Sequence, residues 1–165
     1  MKKIIIHWTA GTGIPNQHEK KCYHYLADAK GELHEGIFKP QDNENCYDGK
    51  YAKHTAGGNT NAIGFAFCGM RGFVSSSKLG EYPLTKIQCE NGFKYIAESC
   101  YIHNIKINPE SVLTHYEFGL KHPKTESYGK IDIIYLPPYP EVLKKDIGNF
   151  IRNKIQWYYN NITLS

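Results

Sequence analysis

Neutral imidazole is the commonest metal ligand that proteins offer, so the histidines are the first residues to consider. His7 ends an apolar run that starts at Lys3, and the chain then leaves it through Trp8-Thr9-Ala10-Gly11. His115 stands in the same position after Val112-Leu113-Thr114. Side chains at strand ends are held by the sheet yet face the loops, so two such histidines can meet across neighbouring strands. A third, carboxylate ligand would complete a catalytic site that keeps one position open for water. Asp132 and Glu117 are the nearby carboxylates. Taken singly, each histidine reads more readily as a structural, hydrogen-bonded residue, and composition cannot overturn that.

The elements that would position these residues follow from patterning. Lys3 to His7 reads as a buried strand, bounded by the turn-rich Gly11-Thr12-Gly13-Ile14-Pro15. Tyr23 to Asp28 and Glu32 to Phe38, separated by Ala29-Lys30-Gly31, suggest a hairpin. Asp42 to Lys50 is polar and loop-like, and Asn61 to Cys68 is apolar enough for a central strand. Thr85 and Gln88 form a capping box, and Phe93, Ile96, Ala97, Cys100 and Tyr101 then repeat at helical spacing. Val112 to His115 reads as a short strand. Ile131 to Tyr135 reads as a further strand or extended segment, stopped by Pro137-Pro138. A last helix is expected from Glu141 to Asn160, with Leu143, Ile147, Phe150, Ile151 and Ile155 on one face. The expected fold is α/β (α+β), a single mixed central sheet flanked by helices, forming one domain over residues 1–165.

Composition narrows the class. A hydrophobic fraction of 41% and a charged fraction of 22% are those of a soluble globular protein. No apolar run approaches the roughly 20 residues of a membrane span, and the apolar stretch after Lys3 is too short for a signal peptide. The expectation is a protein made in the cytoplasm. Five cysteines, an odd number without a C-x-x-C pair, read as small apolar groups rather than as a disulfide or zinc framework. The net charge of +4 is a mild bias towards anionic partners. Scattered lysines argue against a nucleic-acid patch.

Five local words occur in order: "IIIHWTAG" (Ile4 to Gly11), "YHYLADAKGELHEG" (Tyr23 to Gly36), "HTAGGNTNAIGFAFCG" (His54 to Gly69), "LTHYEFG" (Leu113 to Gly119) and "GKIDI" (Gly129 to Ile133). Together they resemble the type-2 N-acetylmuramoyl-L-alanine amidase family over roughly residues 3–136. That family includes amidase-type phage lysozymes, muropeptide-recycling amidases and animal peptidoglycan recognition proteins. The resemblance implies that His7 and His115 are zinc ligands, that Asp132 is the third, and that Lys130 stands beside it. The stretch between His115 and Asp132 is longer than in compact relatives, which leaves His122 and Glu117 as competing ligands. Tyr23 matches the tyrosine that phage-type members place beside the zinc-bound water. His24 is expected to be structural. His54 and Asn61 match cleft positions, with loop hydrogen bonding as the alternative. Trp8 is a candidate for lining the sugar–peptide groove, with the core as the alternative.

The implied reaction is zinc-dependent hydrolysis of the amide between N-acetylmuramic acid and L-alanine in bacterial peptidoglycan. Lys130 would stabilise the oxyanion, and Tyr23 would orient the water or the oxyanion. The recycling branch usually carries a glutamate in the strand after the Ile-Gly pair, where this chain has Phe65-Ala66-Phe67. That departure points to the phage-lysozyme branch: a monomeric, bacteriolytic endolysin acting on the cell wall after release. A recycling amidase and a non-catalytic peptidoglycan-binding module are the rival readings.

Overall fold

The computed structural model describes residues 1–162. Its centre is a five-stranded sheet in the order β3-β2-β4-β1-β5. The strands are β1 (Lys3–Trp8), β2 (Tyr25–Ala27), β3 (Leu33–Glu35), β4 (Ala62–Phe67) and β5 (Val112–Thr114). β1 runs parallel to both β4 and β5, and β2 runs parallel to β4. Only the hairpin partners β2 and β3 are antiparallel. This is the mixed sheet that the sequence implies.

Successive residues of a strand face opposite sides, and the two sides of this sheet are built differently. Ile4, Ile6 and Trp8 of β1, with Ile63, Phe65 and Phe67 of β4, join the main core cluster. Two helices cover that side: α2 (Lys86–Ile102), which supplies Phe93 and Ile96, and α4 (Ile147–Asn160), which supplies Ile151 and Ile155. Burial of each such side chain contributes about 2 kcal/mol before conformational entropy is subtracted. The opposite side carries Ile5 and His7 from β1 and the small Ala62, Gly64 and Ala66 from β4. Large side chains there would fill the space that the histidines occupy.

α2 starts as its capping box predicts, with Thr85 accepting from the Gln88 amide and Gln88 from the Thr85 amide. Two short helices escaped the periodicity reading: α1 (Gln17–Cys22) and α3 (His115–Lys121). Each nonetheless opens on a capping box, Asn16 with Glu19 and Thr114 with Glu117. Part of the polar loop, Pro40–Glu44, is a 3-10 turn. Two expectations need correction. Ile131 to Tyr135 is no strand but a series of turns, held to α3 by the Tyr116 amide donating to the Asp132 carbonyl. The last helix begins at Ile147, not Glu141, because a 3-10 turn at Lys144–Asp146 precedes it and Leu143 faces solvent. All five cysteines are free, and Cys68, Cys89 and Cys100 are buried. No helix among the described residues is long and apolar enough to cross a membrane.

Candidate metal centre and active-site cleft

Because Ile6 is in register with Thr114, the next residues along the two parallel strands, His7 and His115, emerge side by side. Their rings pack edge to face at 4.7 Å. His115 is the first residue of α3 rather than the last of β5, and the Thr114–Glu117 capping box fixes that turn. Between the two imidazoles lies the Asp132 carboxylate, delivered by the turns after Lys130. Its Oδ2 is 2.8 Å from His7 Nδ1 and 3.1 Å from His115 Nδ1. All three side chains are buried. Their ligand atoms lie within 4.8 Å of one another, so the group can hold a metal ion.

The electrostatics suit that role. Burial pushes the His7 pKa down to about 4 against the pull of Asp132, so its imidazole is neutral at ordinary pH, with an uncharged ring nitrogen to ligate. Burial by itself would raise the Asp132 pKa, but hydrogen bonds with His115 and His7 outweigh it and hold the carboxyl below its usual value. Two imidazoles and one carboxylate form a donor set that suits zinc and leaves a fourth position open. A metal fits these residues.

The competing ligands are elsewhere. Glu117 accepts two bonds from Arg152, at 2.8 and 2.9 Å, and caps α3 through the Thr114 amide. His122 is exposed, with its ring 4.2 Å from that of Phe118.

His115 and Asp132 line an open cavity of about 540 Å³, together with Trp8, Tyr23, His54, Phe73 and Lys130, while His7 lies buried behind them. The Tyr23 ring lies 5.2 Å from that of His7. Burial, with the nearby Asp132 charge, pushes the phenol pKa far up, so Tyr23 keeps its proton and can only donate or orient. Lys130 is exposed and enters no salt bridge among the described residues. Apart from Asp132, no carboxylate lines the cavity.

Of the other expected substrate contacts, His54 and Trp8 line the cavity and Asn61 does not. His54 is buried against Gly64, and both of its ring nitrogens are engaged by the protein, Nδ1 with Thr55 Oγ1 at 2.8 Å and Nε2 with the Ala62 carbonyl at 3.2 Å. Burial, then the neighbouring His7 and His24, lowers its pKa well below the ordinary value. Trp8 is only 4% exposed and packs into the core beside Phe73, so it gives the cavity a wall rather than a free platform. Asn61 lies outside the cavity. It takes a left-handed conformation, φ 57°, where the chain enters β4, and its amide and carbonyl bond to Asn43 and Lys2. His24 engages Asn43 and the Gly64 amide, as a structural histidine would.

Structural metal sites close with a fourth protein ligand, whereas three ligands opening on a cavity are the layout of a catalytic centre. Fold and site together define an α/β protein with a buried His-His-Asp group that could hold a metal beside a cavity. The sequence comparison is more particular: residues 1–130 match the family model described as N-acetylmuramoyl-L-alanine amidase, and the chain belongs to that family. Its enzyme class is accordingly N-acetylmuramoyl-L-alanine amidase. The match stops two residues short of Asp132. A solved structure of a PlyL variant shares the fold with a TM-score of 0.51 at 18% identity, covering 94% of this chain and 84% of that one. No curated protein sequence matches.

Proposed function

We propose that the protein is a zinc-dependent endolysin that cleaves the amide between N-acetylmuramic acid and L-alanine in peptidoglycan. The observation that carries this reading is the buried His7–His115–Asp132 group, open on one side to a cavity where Tyr23 and Lys130 converge. Zinc held by these three residues would supply Lewis acidity, polarising the amide carbonyl and acidifying water.

The chain's own residues do the rest. Asp132 would hold the metal together with His7 and His115 and offset part of its charge. Tyr23, protonated throughout the working range, donates its hydroxyl proton towards the reacting oxygen and orients it. Lys130 brings a full positive charge to the tetrahedral oxyanion that forms as the carbonyl is attacked. Phe73 and the wall of Trp8 flank the cavity and shape the path of the glycan and peptide. Ala66, in register with His7, leaves the strand beside the metal position without a carboxylate. That favours the phage-lysozyme branch over the recycling branch.

The test is incubation with purified peptidoglycan and mass spectrometry of the new ends. Free L-alanine amino termini with intact glycan strands are expected, at a rate abolished by chelation and restored by zinc. New reducing sugar ends without free L-alanine would sink the amidase reading. For the endolysin role, intact sacculi should be cut faster than small soluble muropeptides; the reverse preference would indicate recycling.

A further inference from the structure

Three consecutive residues that line neither strand nor helix, His54-Thr55-Ala56, reach both histidine ligands on the side away from Asp132. Thr55 Oγ1 is 3.3 Å from His7 Nε2. The Ala56 carbonyl accepts from the Ser127 hydroxyl at 2.8 Å, and Ser127 Oγ is 3.0 Å from His115 Nε2. We infer that this tripeptide, with Ser127, is a positioning device that selects the imidazole tautomer of both metal ligands. The inference rests on the metal-centre reading above.

Donor counting fixes the directions. A carbonyl can only accept, so the Ser127 hydrogen is committed to Ala56. Ser127 Oγ must then accept, and His115 Nε2 must donate to it. On the other side, His54 Nε2 faces the Ala62 carbonyl and has to be the donor. A neutral imidazole has one donor and one acceptor, so His54 Nδ1 accepts, and the Thr55 hydroxyl gives it its hydrogen. Thr55 Oγ1 is left to accept from His7 Nε2. With a metal in place of the His7 and His115 Nδ1 hydrogen bonds to Asp132, both ligands would therefore carry their proton on Nε2 and turn an Nδ1 lone pair towards the ion. An outer partner of this kind fixes the tautomer and the ring orientation of a ligating histidine.

The tripeptide is itself held. The Thr55 amide donates to Asn59 Oδ1 at 2.8 Å, and the Gly58 amide donates to the Thr55 carbonyl. At Gly58 a Cβ would stand 2.6 Å from the Phe118 ring of α3, so the loop is packed directly on the helix that carries His115.

The test is zinc affinity measured by competition with a chromogenic chelator, beside the thermal midpoint of the metal-free protein. Thr55→Val keeps the shape and removes the hydroxyl; it should weaken zinc binding about 10–100-fold at a near-wild-type midpoint. Ser127→Ala should do the same, and Thr55→Ser should restore affinity to within a few-fold. In zinc-loaded wild-type protein, long-range nitrogen–proton NMR should place the imidazole protons of His7 and His115 on Nε2. Wild-type affinity in both folded hydroxyl-deleted variants, or coordination through Nε2, overturns the inference alone. Failure of the wild-type protein to bind zinc overturns the zinc reading as well.

Discussion

Ala66 stands in register with His7 on the neighbouring parallel strand and faces the same side of the sheet. A methyl group thus occupies the β4 position paired with His7, and in the proposed mechanism handling of the water and oxyanion falls to Tyr23 and Lys130. Tyr23→Phe removes one hydroxyl and keeps the ring against His7. Turnover should fall about 10²–10³-fold, the usual cost of one preorganised donor, with zinc retained. Lys130→Met should cost at least as much. Steady-state rates on peptidoglycan, with metal content measured on the same samples, check both; near-wild-type turnover in Tyr23→Phe would remove the tyrosine from the mechanism.

Asp132 touches both histidines, while Glu117 and His122 touch neither. Asp132→Asn should lower zinc affinity by more than the roughly 100-fold that loss of an outer partner costs. Glu117→Gln should leave affinity near wild type and instead lower stability. It weakens the partner of the buried Arg152 guanidinium, for which complete loss of one member of a buried pair costs about 3–5 kcal/mol. Chelator competition and thermal melts separate the two, and a zinc defect in Glu117→Gln without an Asp132→Asn defect would reverse the assignment.

Acid should destabilise the metal-free protein. Burial holds His7 and His24 at about 4 in the folded state, against 6.5 in the free side chain. Between those values the unfolded chain binds protons that the folded chain does not, so the stability is fully present above pH 6.5 and is lost as pH falls through 4. Each group can remove as much as about 3 kcal/mol. Melting curves of the metal-free protein from pH 7.5 to 4.5 should show a steep decline, and a flat profile would contradict the neutral burial of these rings.

At Gly64 a Cβ would meet the His54 ring at 2.4 Å. Gly64→Ala should push His54 off Thr55, costing about 1–3 kcal/mol by overpacking. The accompanying loss of zinc affinity, read by chelator competition, should resemble that of Thr55→Val. Unchanged stability and affinity would mean that the β4 backbone yields instead.

How much of this the sequence disclosed depends on whether a residue's role leaves a local pattern. β1 and β4 were legible because both of their faces are buried, which gives continuous apolar runs. His7 and His115 were legible because each sits inside a recognisable word at a strand end. The two short helices have too few turns for periodicity, although Asn16-x-x-Glu19 and Thr114-x-x-Glu117 carried the capping signal. The start of α4 was misplaced because Leu143 keeps helical spacing with Ile147 yet stays in solvent. Of the two readings open for Asn61, the structural one fits its place outside the cavity, where its backbone bonds to Asn43 and Lys2. Thr55 and Ser127 were missed altogether, since a hydroxyl that bridges residues 48 or 12 positions away leaves no local pattern.

The Arg152 guanidinium joins α4 to Glu117 at the start of α3 and to the Val112 carbonyl of β5. The last helix among the described residues is thereby latched to the strand and turn that present His115. Along the chain, Asp132 follows the stretch matching the family model, and the latch follows some twenty residues later still. A nascent chain halted before Arg152 would leave the Glu117 carboxylate without its cation and the His115 turn unanchored. The proposed metal group thus depends on a helix that supplies none of its ligands, and its assembly should wait on the docking of α4.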